Sequence, residues 1–104
     1  MYRLIIGELA KQELENEVAY SLRNWGNKQA KKYRQGLTKT IKELRQNAKI
    51  YQVKAEFAPD IRIVRCKGSQ IIYRLNEQEK LVSILAIYGK NKEIDPADIT
   101  KRDQ

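Results

Sequence analysis

Histidine is absent from all 104 residues. That excludes Ser-His-Asp and Cys-His relays, a histidine general base and any Cys/His zinc cluster. Cysteine occurs once, at Cys66, so no internal disulfide forms and a reducing compartment is expected. The five glycines (7, 26, 36, 68, 89) stand singly, and neither GxxxxGK[ST] nor GxGxxG occurs. The longest apolar run, Ile84 to Tyr88, is five residues, where a membrane span needs roughly 20, so no membrane partner is expected. The N-terminal MYRLIIGELAKQELE turns acidic too early to act as a secretory signal. Chemistry is left to arginine, lysine, tyrosine and carboxylates. That set moves protons poorly near pH 7 and holds phosphates well, and no cofactor or metal is expected.

What is present is charge: 21 Lys+Arg against 13 Asp+Glu, a net +8, with 41% hydrophobic residues to build one core. A single domain over 1–104 is the expectation. Tyr2–Ile6 is β-branched and ends at Gly7, which predicts a strand. Ala10, Leu14, Val18 and Leu22 then recur every four residues and draw an apolar stripe on a helix. Asn24-Trp25-Gly26-Asn27 breaks the period, with Gly26 suited to closing one helix and Asn27 to capping the next. Ala30, Tyr33, Leu37, Ile41, Leu44 and Ala48 keep a second helix amphipathic. Gly36 falls on its solvent side, where close packing does not explain it.

After Lys49 the period becomes 2. A short strand is expected at 50–53, then strands over 61–66, 70–75 and 81–88, the last the most apolar and therefore central. Residues 89–104 form a polar tail, with a short turn of helix after Pro96 and fraying beyond. The expected fold is α+β: an N-terminal strand and an α-helical hairpin on one face of a small antiparallel β-sheet.

The charge is uneven. Between Arg23 and Lys54 lie ten basic residues and one acid, Glu43. A solvated helix face explains such a run, and so does a surface for an anionic partner. A second basic set comprises Arg62, Arg65, Arg74, Lys90 and Lys92. Arg62 and Arg65 are three apart and face opposite sides of a flat strand. Strand arginines mark either a solvated sheet face or forked phosphate ligands. Tyr73 and Tyr88 are either core or stacking surface. Trp25 either caps the core or, exposed, anchors a partner.

The order strand, helix, NWGNKQAKKYRQGLTKTIKELRQNAKIY, then IRIVRCKGSQIIYRLNEQEKLVSILAIYGKNKEIDPADI resembles the RelE/ParE superfamily of small bacterial toxins over nearly the whole chain. Trp25-Gly26, Gln29-Ala30, Tyr33, Leu37, Ile41 and Leu44 are similar to the hairpin of the ParE branch. Arg62 with Ile71-Ile72-Tyr73 is similar to its central hairpin, and Ile84–Tyr88 with Asp95-Pro96-Ala97 to its ending. Many members carry a Leu-His pair where this chain has Ile87-Tyr88. The resemblance implies a cytoplasmic toxin of a type II toxin–antitoxin system, held in a hetero-oligomer by a cognate antitoxin. The antitoxin is expected over the sheet edge and the groove beside the helix hairpin.

ParE-like members poison DNA gyrase, and that target is the expected one. The alternative, from RelE-like members, is ribosome-dependent cleavage of mRNA. It implies Arg62, Arg65, Arg74, Tyr88 and Lys90 as the catalytic set, with Lys90 and Lys92 as a basic tail. Cleavage of that kind needs a base for the 2′-hydroxyl, charge stabilisation at phosphate and an acid for the leaving oxygen. An ordinary tyrosine is an acid and a poor base at neutral pH. A further alternative is a non-toxic nucleic-acid-binding module.

Overall fold

The periodicities sort the chain into eight elements in a computed structural model that describes residues 1–89 and 92–102. They are β1 (Arg3–Ile6), α1 (Glu8–Trp25), α2 (Asn27–Asn47), β2 (Gln52–Val53), β3 (Ile61–Cys66), β4 (Ser69–Asn76), β5 (Leu81–Tyr88) and α3 (Pro96–Arg102). Strands β2 to β5 form the antiparallel meander the sequence predicts. The sheet as a whole is mixed, not antiparallel: β1 pairs in parallel with β5, Arg3 beside Leu81 and Ile6 beside Ile84. The meander leaves one edge of β5 unpaired, and β1 fills it running in the same direction. The order is therefore β1-β5-β4-β3-β2, which puts β4 at the centre and β5 next to it.

The sheet is apolar on both faces. On one, α1 and α2 pack over a core of Leu37, Ile41, Leu44, Val64, Ile71, Tyr73, Val82, Ile84 and Ile87. On the other, Ile99 of α3 covers Ile61, Ile63, Ile72, Leu85 and Ala86. A bulge in β5 makes this possible. Ile72 opposes Ala86 and Tyr73 opposes Ile84, so Leu85 is the extra residue. Leu85 and Ala86 both reach the α3 side, and Ile87 returns to the helix hairpin.

The tail holds a longer helix than the short turn expected after Pro96, and the fraying expected beyond it falls on residues 103–104, outside the described residues. Asp95 Oδ1 accepts the Ala97 amide (3.0 Å), Pro96 occupies the first helical position, and α3 runs for seven residues with Ile99 fully buried. The apolar stripe of α1 also differs near its end, where Ser21 is buried and Leu22 is 46% exposed. Gly26, not Asn27, precedes α2 as its cap residue and makes no side-chain bond. Gly36 does have a close neighbour. The Lys67 side chain lies across it, its Cε 2.9 Å from where a Cβ would stand.

Gly26 holds φ +88°, donates its amide to Leu22 O and accepts from the Ala30 amide, which folds α2 back along α1. Gly26→Ala is expected to cost about 1–2 kcal/mol of stability, from the left-handed backbone alone, since nothing lies within 4 Å of an added Cβ. Urea unfolding measures it.

Candidate functional site

The described residues singled out in the sequence separate into four places. Arg62 and Tyr73 are cross-strand neighbours facing the helix hairpin. Tyr73 is fully buried and donates its hydroxyl to Ala48 O at 2.6 Å. Arg62 Nη1 donates to Lys49 O (2.9 Å) and Tyr51 O (2.8 Å). The two side chains satisfy carbonyls of the turn that follows α2, beside the negative end of its dipole. Burial raises the Tyr73 hydroxyl well above the usual tyrosine range. Tyr73 is thus closed off in the core, while Arg62 is half-buried with its Nη1 engaged by these two carbonyls.

Arg74 sits on the opposite face, where its Nε donates to Asp60 Oδ2 at 2.7 Å. It lies four residues along β4 from Gln70, about 13 Å, so it does not join the remaining site residues. Two of those, Arg65 and Tyr88, form a row with Gln70 at the other end of the sheet. Arg65 opposes Gln70, and Gln70 opposes Tyr88, so the three share the α3 face. Arg65 is exposed, with no hydrogen bond or ion pair among the described residues. Lys90 lies outside the described residues.

Tyr88 is held by a cluster that the sequence reading missed. Its hydroxyl donates to Asp98 Oδ2 at 2.7 Å, and the Arg102 guanidinium stands 5.8 Å over its ring. Arg102 makes a forked bond to Glu13 (2.8 and 3.0 Å), pairs with Asp98 (3.0 Å) and reaches Leu85 O. Glu13 also accepts the Ile87 amide at 3.0 Å. Burial first, then the Asp98 bond, pushes the Tyr88 hydroxyl far above its usual value. Donors from Tyr88 and Arg102 hold Asp98 below the usual carboxylate range. At neutral pH the row offers a guanidinium, an amide and a protonated phenol. The carboxylate beside the phenol, Asp98, is committed to two donors, Tyr88 and Arg102. The signal for this cluster was the pair Asp98 and Arg102, four apart in a helix opened by Asp95-Pro96.

Around the same sheet end, on the hairpin side, lies a groove of about 1030 Å³ between the C-terminal half of α1, the start of α2, the β3–β4 turn and the chain after β5. Arg23, Lys32, Lys67 and Lys92 line it, with Glu17 as its acid. Trp25 (68% exposed) and Tyr20 (53%) stand at its mouth, and Tyr33, bonded to Ser69, forms part of its wall. Trp25 therefore does not cap the core. Lys92 pairs with Glu17 at 3.2 Å, and its carbonyl accepts from Gln70, which ties groove and row together. Gly89 packs closely beside this pair: a Cβ there would stand 2.5 Å from the Glu17 carboxylate, which would have to shift.

The profile of ParE toxins of type II toxin–antitoxin systems matches residues 4–93. The chain belongs to the ParE toxin family. Solved structures agree at the level of fold. A chromosomal ParDE system from P. aeruginosa superposes with a TM-score of 0.73 at 20% identity, covering 88% of this chain and 98% of that one. A mutant form of the E. coli RelE toxin in the free state gives 0.65 at 20%, covering 97% and 96%. The intact E. coli RelBE toxin–antitoxin complex gives 0.59 at 18%, covering 88% and 100%. No curated protein sequence matches the chain. This ParE family member has no helix among its described residues long and apolar enough to cross a membrane.

The bonds at the end of α2 and around Tyr88 each have a measurable consequence. Tyr73→Phe and Arg62→Ala each leave carbonyls at the end of α2 without donors, and each is expected to lower unfolding stability by about 1–3 kcal/mol in urea titrations. Asp98 is depressed in the folded state, so its contribution is complete above its unfolded pKa near 4 and fades as pH falls through the lower folded value. Hydrogen-exchange protection of α3 should drop over that acid range in the wild type and show no such step in Asp98→Asn.

Proposed function

We propose that this ParE family toxin acts in the cytoplasm by inhibiting DNA gyrase through surface contacts, without catalysing a reaction. The observation that carries the reading is the dispersal of the candidate catalytic groups. Arg62 is spent on the end of α2, Arg74 pairs with Asp60 far along the sheet, and Tyr88 is locked as an acid. Strand cleavage of RNA needs a base beside the 2′-hydroxyl and charge stabilisation at the same phosphate, and the described residues bring no such set together. The alternative, ribosome-dependent mRNA cleavage, draws support from Arg65 and Tyr88 sharing one row.

A cognate antitoxin is the second partner of this reading, in a hetero-oligomer. The groove by the hairpin suits an acidic segment with apolar anchors: four cations line it, and Trp25 and Tyr20 offer the exposed aromatic surface that dominates binding energy at interfaces. The solved RelBE structure is one of a toxin held with its antitoxin.

Purified protein at micromolar concentration is expected to inhibit gyrase supercoiling and to leave mRNA intact on programmed ribosomes. Unimpaired supercoiling together with ribosome-dependent cleavage, lost in Arg65→Ala, reverses the assignment. Trp25→Ala is expected to weaken antitoxin binding by about 2 kcal/mol, roughly 30-fold, with little change in unfolding stability.

A further inference from the structure

The outward side of α2 is a surface that neither the row nor the groove explains. At 100° per residue, Lys28, Lys31, Lys39 and Lys42 point away from the buried line of Ala30, Leu37, Ile41 and Leu44, and all four are exposed. They span about 21 Å along a straight helix. Lys28, Lys31 and Lys42 have no hydrogen bond or ion pair among the described residues, and Lys39 meets Glu43 only at 4.0 Å. The self-repulsion of such a row favours an anionic partner.

The chemistry of the face narrows what that partner is. None of the exposed large hydrophobic residues lies on α2. An acidic protein would find no aromatic or aliphatic anchor there, and protein interfaces depend on such anchors. A single strand would find no ring on which to stack its bases. Duplex RNA is recognised through its 2′-hydroxyls as well as its phosphates, and an ammonium group has no acceptor for a hydroxyl proton. A row of ammonium groups interspersed with Gln35 and Gln46 is suited to a regular line of phosphates, whose binding needs charge alone.

We propose that the lysine row on the outer face of α2 binds the phosphate backbone of double-stranded DNA without sequence preference. This surface lies across α2 from the core, and it borders the groove at the hairpin tip through Lys32. The proposal holds whether gyrase or the ribosome is the target, and it fails or stands separately from that reading.

The test is a titration of the full chain against a fluorescein-labelled 20-base-pair DNA duplex. With about four phosphates neutralised, affinity should fall roughly 100-fold between about 50 and about 200 mM salt. Lys31→Gln/Lys42→Gln should flatten the log–log slope by about 1.8, at about 0.9 for each phosphate no longer neutralised. Lys11→Gln/Lys101→Gln, which removes the same charge elsewhere, should keep the wild-type slope. Circular dichroism confirms that each variant retains its helices. Equal flattening in both double variants overturns the proposal. So does tighter binding of a 20-nucleotide single strand or a duplex RNA, or competition by polyglutamate as effective as that by unlabelled duplex.

Discussion

The end of α2 is where the helical layer is joined to the sheet, and the join is made by polar bonds inside a mostly apolar interface. The Ala48, Lys49 and Tyr51 carbonyls are drawn down by the Tyr73 hydroxyl and the Arg62 guanidinium, which project from adjacent positions on β4 and β3. Apolar contacts between helix and sheet slide with little penalty, but these bonds do not. They set how far α2 extends over the sheet and where the chain turns into β2.

The architecture was readable wherever one face of an element is buried. The steps of three and four from Ala30 to Ala48 marked α2, because that pattern reflects a single apolar neighbour. It failed where an element has neighbours on both sides or on neither. The near-continuous apolar run of β5 signalled burial on two faces, yet nothing local specified that β1 would complete its edge in parallel. Polar α3 buries one residue, Ile99, and is held mainly by ions, so its composition resembled a loose tail.

Site residues were harder to place, for a related reason. Arginine and tyrosine on strands bind carbonyls as readily as they bind phosphate or bases, and residue type does not distinguish these uses. Strand parity correctly put Arg62 and Arg65 on opposite faces, but which face would supply waiting carbonyls depended on where α2 stops. The partners of Tyr88 came from both ends of the chain, Glu13 through Arg102, a separation that no local pattern bridges. The family assignment was visible because it rests on the order of elements, which survives such exchanges of role.

The extra residue in β5 has an effect on mutational tolerance. Upstream of Leu85 the strand is keyed to β1 and to the second half of β4; downstream it is keyed to the start of β4 and to the exit toward α3. The kink acts as a joint between two separately phased half-strands. Drift in the terminal segment can therefore be absorbed at one position, leaving the hairpin-facing layer in phase, whereas losing that residue would invert one half of the strand against the other.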